Sequence, residues 1–385
     1  MTTPNREDRE KSHRFPELLP DGRAVLLTMA SADISSFDDA RIEVLSLETG
    51  KRQVLIEGGT NPRYVSSGHL LFARAGSLFA APFDPRRTAI TGPATPVVEG
   101  VMTSPLVGHA EFAVSREGTL VYAPGDGQPP KRKLIWVDRG GKVQEISSEA
   151  ERRPFGFPRL SPDGHYLGVA IGAANNEVWL LDLARGALTR SARGWDNNVP
   201  IWTRDGDRLT INSNRGGQWN LFWYAADGSG SAERLTTNEN GQIPGSWSPD
   251  GRTLAFTEIK SDTGEEDIWF LPSGGSPEPF LATSSREGGP EFSPDGRFLA
   301  YASDASGRKE VYVRSLFGPG AVRQVSTSGG DQPAWSGDGR ELFYREGARM
   351  MAVSIQTQPE FAPGSPKLLF ERKAPGDDWP EVGYR

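Results

Sequence analysis

The residues able to do chemistry are few and scattered. The 385-residue chain has four histidines, His13, His69, His109 and His165, and no cysteine. A metal site needs ligands that converge on one point, and these histidines stand 40 residues apart or more. His69 and His165 each follow a glycine, which predicts loop tips, and all four read as separate surface or loop residues. His109 is the exception to consider, because it precedes the apolar stretch "AEFAV" (110–114) and could face an interior channel. The segment "SDTGEED" (261–267) gathers four acidic residues. Calcium takes oxygen ligands, but this spacing matches no EF-hand, so a solvated hairpin loop is expected. No Gly-x-Ser-x-Gly stretch supplies a hydrolase nucleophile elbow. Without cysteine there is no thiolate chemistry and no disulfide framework. No cofactor and no metal are implied. Paired carboxylates for acid–base work would have to be brought together by the fold.

The elements that would position such residues repeat along the chain. "SPDGHYLGVA" (161–170), "SPDGRTLAFT" (248–257) and "SPDGRFLAYA" (293–302) share one turn. Proline presets φ, aspartate can bond its own backbone, and glycine accepts φ > 0. Aligning on the turn glycine gives Gly22, Gly68, Gly118, Gly164, Gly206, Gly251, Gly296 and Gly339, spaced by 42–50 residues. Four residues earlier stand Leu18, Tyr64, Val114, Leu160, Trp202, Trp247, Phe292 and Trp335. A third apolar run follows each hairpin, such as "EVWLLDL" (177–183) or "DIWFLPS" (267–273), and then a fourth, such as "VRQVST" (322–327). Four short strands per roughly 45 residues mark a β-propeller blade. The expected fold is therefore all-β: a single propeller over residues 14–373, with eight four-stranded blades or, alternatively, seven. Residues 1–13 read as a polar tail and 374–385 as a C-terminal tail or truncated closing strand.

Charge and hydropathy narrow the partners. The formal net charge is −7, whereas phosphate recognition relies on clustered Lys and Arg; no nucleic-acid partner is expected. Lys131-Arg132-Lys133 reads as a solvated turn. There is no run of 18 apolar residues, and "MTTPNREDREKS" (1–12) is no signal peptide. The expectation is a soluble monomer without membrane insertion, its compartment open.

Tryptophans separate into two kinds. Trp202, Trp247 and Trp335 share one repeat position, as do Trp136, Trp179 and Trp269, which predicts packing between blades. Trp195 has no repeat counterpart. It lies in "RGWDNNVP" (193–200), a connection between one unit's fourth strand and the next unit's first. In a propeller such connections rim the central channel. Reading the rim by repeat gives Asn61, His109, Arg153, Trp195, Asp196, Asn198, Asn240, Glu287 and Asp331. They are polar or aromatic, of mixed sign and not repeated, so identical packing does not explain them, and loops are where binding residues concentrate.

The unit "IPGSWSPDGRTLAFTEIKSDTGEEDIWFLPSGG" (243–275) resembles the repeats of TolB-type, WD-repeat-like β-propellers. Several stretches are similar to the propeller region that follows the kinase domain in bacterial transmembrane serine/threonine kinases: "HRFPELLPDGRAVLLT" (13–28), "GSLFAAPFDPRRTAITG" (76–92), "LIWVDRGGKV" (134–143) and "GRKEVYVRSLFGPGAVRQVSTSGGDQPAWSGDGRELFY" (307–344). The chain itself carries no kinase motif. The resemblance implies a non-catalytic sensor or interaction module that takes a protein, peptide or small ligand at the channel face, and an extracytoplasmic place if the chain is part of such a kinase. The alternative is a channel-based enzyme, such as a propeller lyase or a glycan-active hydrolase.

Overall fold

The computed structural model describes residues 4–5, 9–31, 34, 36–104, 108–115, 118–125, 132–146, 153–172, 175–317, 321–358 and 360–371. The chain divides into two compact units, residues 1–130 and 131–385. The segment read as a polar tail already enters a strand at Glu10. The 374–385 segment lies outside the described residues.

In the first unit, Glu10–Leu18, Ala24–Ser31, Arg41–Ser46 and Arg52–Glu57 form sheet 1. Thr60–Val65, His69–Arg74, Ser77–Asp84 and Thr95–Glu99, with the short Ala89–Ile90, form sheet 2. The hairpin Phe112–Val114/Leu120–Tyr122 follows. The second unit opens with the hairpin Ile135–Val137/Val143–Glu145. Five antiparallel sheets come next: sheet 3 (155–192), sheet 4 (197–234), sheet 5 (241–281), sheet 6 (287–324) and sheet 7 (331–371). The fold is all-β, with seven sheets of four or five strands among the described residues. The third repeat departs from the expected pattern. Its strands pair as two hairpins, one in each unit. Its turn lacks Pro-Asp, and "GDGQPP" (125–130), rich in residues that interrupt a ladder, separates its second and third strands.

Serine completes the repeated turn. In sheet 6 the Ser293 hydroxyl donates to Asp295 Oδ1 (2.6 Å) and accepts from the Phe298 amide (3.0 Å). Asp295 accepts the Arg297 amide (3.1 Å), and Gly296 N–H donates to Ser293 O (2.9 Å). The same set recurs at Ser161, Thr203, Ser248 and Ser336. These hydroxyls hold the carboxyls of Asp163, Asp205, Asp250 and Asp338 below the usual carboxylate range, helped by the backbone amides.

In sheet 2 and in sheets 4 to 7 the inner strand packs on the sheet before it. In sheets 4, 5 and 7 its tryptophan also carries a hydrogen bond across the gap. Trp202 Nε1 donates to Arg159 O of sheet 3 (3.0 Å), Trp247 Nε1 to Thr210 Oγ1 of sheet 4 (3.0 Å), and Trp335 Nε1 to Glu291 O of sheet 6 (3.2 Å). Sheet 6 has Phe292 at this position, and there the Phe292 amide donates to Ser246 Oγ of sheet 5 (2.8 Å). Trp136 and Trp179 pack together in the core of sheet 3, and Trp269 in that of sheet 5, as their repeat position predicts. In sheet 1 the buried residue is Leu19, not Leu18, which is 59% exposed. The register shift between Arg14 and Glu17 accounts for this, since a one-residue slip exchanges the two faces.

That shift is itself a repeated device. In six sheets the residue before the inner-strand proline has positive φ: Phe15, Asn61, Phe157, Val199, Gly289 and Gln332. Each sits at a register shift. Such a conformation strains a β-branched residue like Val199, at a cost of about 1–3 kcal/mol. A bulge re-aims the side chains that follow it. In sheet 5 the shift falls at Gly245 instead, where an added Cβ would lie 2.5 Å from Pro290 O of sheet 6.

Trp247 tests the packing. It is 5% exposed and bridges two sheets. Trp247→Ala is expected to lower unfolding free energy by about 3–5 kcal/mol in urea titration. A loss under about 1 kcal/mol would mean the residue lies outside the core.

Candidate functional site: the interior and one end of the second unit

Within each unit the bulges direct charged residues of different inner strands toward one another. The residue after the inner-strand proline is Glu17 in sheet 1 and Arg63 in sheet 2, and these pair at 2.9 Å. In the second unit the corresponding residues include Arg159 of sheet 3 and Glu291 of sheet 6. Glu291 is half-buried. Burial pushes its carboxyl up to about 7, although Arg159 and Arg204 pull it down. Sheets 3 and 6 are not neighbours, so their inner strands must border a common interior for these charges to meet. This cluster escaped the sequence reading, which took its polar candidates from the connections between repeats. The available signal was a charged residue in the otherwise apolar Pro-x-apolar stretch, as in "FPRL" (157–160) and "GPEF" (289–292).

The connections between sheets lie at the end away from the Ser-x-Asp-Gly turns. They are tied to the loops joining second and third strands. Asp196 Oδ1 accepts from the Asn176 amide (2.9 Å) and from Asn198 Nδ2 (3.1 Å), and the Asp196 amide donates to Asn214 Oδ1 (2.9 Å). Asn240 Nδ2 donates to Glu258 (3.0 Å), while its Oδ1 accepts the Ser261 amide (3.1 Å). Asp331 pairs with Lys309 at 3.2 Å. Lys260 pairs with two of the four acidic residues of the 261–267 loop, Glu265 (2.9 Å) and Asp267 (3.2 Å).

The expected rim residues divide by burial. Asp196 and Glu287 are buried, so Asp196 shapes its loop more than it offers a contact surface. Asn198, Asn240 and Asp331 are half-buried and engaged as above. Arg153 forms a backbone bridge with Arg132. Trp195 is 54% exposed, with φ at +65°, on a loop braced by Asp196, Asn197 and Asn214. In the first unit Asn61 is buried rather than open, its amide bonded to Ala110 O (3.0 Å). His109 is half exposed and meets Glu111 at 3.2 Å. His13, read as a surface or loop residue, is instead buried and sits with Glu10 and Arg52.

The family match falls within the second unit. The model of the family described as TolB beta propeller domain matches residues 137–336. A Tol-Pal system protein TolB of Anaeromyxobacter dehalogenans is 34% identical over 222 residues, 55% of this chain and 49% of that protein. A protein described as an uncharacterized peptidase of Bacillus subtilis is 33% identical over 108 residues, 25% of this chain and 16% of the relative. The chain thus spans half or less of these relatives. The solved structure of a putative TolB from Agrobacterium tumefaciens aligns with a TM-score of 0.51 at 20% identity, covering 62% of this chain and 87% of that one. Among the described residues no helix is long and apolar enough to cross a membrane.

Glu291 gives the interior a pH signature. Its unfolded pKa is the ordinary 4.5 and its folded one about 7. Between those values the folded state keeps a proton that the unfolded chain has released. Its contribution is therefore full below 4.5 and lost as pH rises through 7. Relative to Glu291→Gln, the parent should lose thermal stability between pH 4.5 and 8. A parent–variant difference in melting temperature that does not change with pH would contradict the assignment.

Proposed function

We propose, since this chain belongs to the TolB beta propeller domain family, that it is a non-catalytic interaction module whose contact face is the connection end of the second unit. Trp195 carries the reading. An exposed tryptophan without a repeat counterpart contributes nothing to the shared packing scheme, and tryptophan is enriched at binding hot spots. Its loop is fixed before binding by the Asp196–Asn214 and Asp196–Asn198 bonds, which lowers the ordering cost of association. Asn198, Asn240 and Asp331 supply polar groups at the same end, and Arg153 can clamp a carboxylate. A protein or peptide segment is the partner such a surface suits.

The finer reading, a sensor part of a serine/threonine kinase, rests on the sequence stretches that resemble such propellers. A kinase domain and membrane span encoded upstream would support it, together with an extracytoplasmic place for this module. Their absence from the gene would remove it.

One observation favours a second reading. A half-buried carboxyl that burial pushes up to about 7 against the pull of Arg159 and Arg204 has the profile of a general acid or base. A channel enzyme would lose turnover in Glu291→Gln while keeping its fold.

Trp195→Ala and Asp331→Ala are expected to fold normally. Against a partner isolated by crosslinking to the parent, each should cost about 2 kcal/mol, some thirtyfold in affinity. If both bind like the parent while substitutions in the Ser-x-Asp-Gly turns abolish binding, the face is assigned to the wrong end.

A further inference from the structure

A crevice of about 220 Å³ opens between sheets 5 and 6 and holds a buried carboxyl, raised above its ordinary range by burial and by Asp267 and Asp304, and a guanidinium that it does not meet. Glu287 lines one part. It is 2% exposed, its Oε1 accepts the Thr283 hydroxyl, and its Oε2 is buried with no hydrogen-bond partner. Arg314 lines another part. Its guanidinium lies over the Phe280 ring at 5.3 Å from the centroid, and among the described residues it makes no ion pair or side-chain hydrogen bond. Tyr301 and Tyr312, stacked with centroids 5.9 Å apart, also line the crevice, with Leu281 beside them. Burial pushes the Tyr301 hydroxyl up to about 12, with Arg314 pulling it down and Glu287 pushing it up. Both charges are therefore within electrostatic reach of that hydroxyl.

Sheet 5 shows what a closed version of this corner looks like. There Gln242 takes the Thr236 hydroxyl on its Oε1 and donates through Nε2 to Glu258 Oε2 (3.2 Å). Glu258 also receives Asn238 and Asn240. None of the buried polar atoms of Thr236, Asn238, Gln242 and Glu258 is left without a partner. Across the strands, Gln242 pairs with Glu258, and Glu287 pairs with Ser303. In sheet 6 the amide has become a carboxylate and the glutamate a serine. The first change removes a donor and adds a charge; the second removes side-chain volume, and Ser303 lines the resulting crevice. A buried carboxylate oxygen left without a donor is costly, and a cationic group seated there would relieve it.

We propose that this crevice binds a small bipolar ligand, an amino-acid-like zwitterion whose ammonium meets Glu287 and whose anionic group meets Arg314. An ammonium supplies three donors for the orphan oxygen, and a carboxylate matches the guanidinium fork. The tyrosine rings provide an apolar bed for the carbon spacer and a π face for the cation. The crevice opens beside the connection from sheet 5 to sheet 6, two connections along from that of Trp195, and the proposal does not depend on the Trp195 reading.

The test uses ω-amino acids with spacers from glycine to 6-aminohexanoate, alongside hexylamine and hexanoate, titrated calorimetrically into the full chain. One bipolar probe is expected to bind at least about tenfold tighter than either singly charged probe, equivalent to about 1.4 kcal/mol. Glu287→Gln should bring that probe down to the affinity of hexanoate, and Arg314→Gln to that of hexylamine, with melting temperatures near the parent's. Three results would overturn the proposal: no probe binding at millimolar concentration, hexylamine or hexanoate matching the best bipolar probe, or tight binding that survives both substitutions. Arg314→Gln alters a half-buried side chain without a polar partner, so it keeps the test decisive even if Glu287→Gln fails to fold.

Discussion

The second unit depends on one contact made four times: an aromatic residue near the end of an inner strand, pressed against the sheet before it, with a hydrogen bond crossing the same gap. An antiparallel sheet of four short strands cannot bury both faces alone. Each face must be covered by a neighbour, and burial of a large aromatic supplies most of the gain. The accompanying bond fixes the depth and rotation at which the neighbour docks. Trp202, Trp247 and Trp335 use the indole N–H; where sheet 6 has Phe292, the backbone amide and Ser246 take over. Substitution of the aromatic thus changed the donor and preserved the crossing bond.

Two local devices make this stacking repeatable. The Ser-x-Asp-Gly turn sets hairpin register with a side-chain hydroxyl that donates to aspartate and accepts from the chain five residues on. Register decides which face is apolar. The bulge at the inner-strand proline then redirects the next residue, so that a strand packed by its aromatic end can also deliver a charge inward. Arg159 and Glu291 occupy that position, and the hydrogen bonds from Trp202 and Trp335 go to the carbonyls of those same two residues. Packing between sheets and charge in the interior are coupled through single residues. The hairpin at 135–145 extends the scheme. Its flanks Leu134 and Ile146 join the core of sheet 3, and Arg139 at its turn reaches Glu341 and the Phe343 ring of sheet 7.

Much of the fold was legible because it is periodic. The turn glycines, the aromatic four residues before them and the leucine after them gave strand order and burial in sheets 4 to 7; Leu209, Leu254, Leu299 and Leu342 are all fully buried. The apolar runs of the third repeat are legible in the sequence, but the pairing of its strands as two separate hairpins is not. The serine of the turn was visible at 161, 248, 293 and 336, yet proline and glycine drew the reading, since their backbone effects are local and the hydroxyl's two bonds are not. The candidate site was less legible. Trp195 stood out as an exception to the period. Arg159 and Glu291 are far apart in sequence and belong to different sheets, so only the stacking of the intervening sheets joins them. Glu287 looked like a rim residue, but its character comes from Ser303 opposite, a comparison that needs the cross-strand register.

Serial docking of sheets in the second unit brings sequence-distant inner strands around one interior. The most direct measurement is the titration of the Glu291 carboxyl by carbon-13 NMR, in the parent and in Arg159→Gln. The account predicts a midpoint near 7 in the parent and a higher one in the variant, because removing a nearby positive charge destabilises the carboxylate. A parent midpoint at the ordinary 4.5, unmoved by the loss of Arg159, would contradict it.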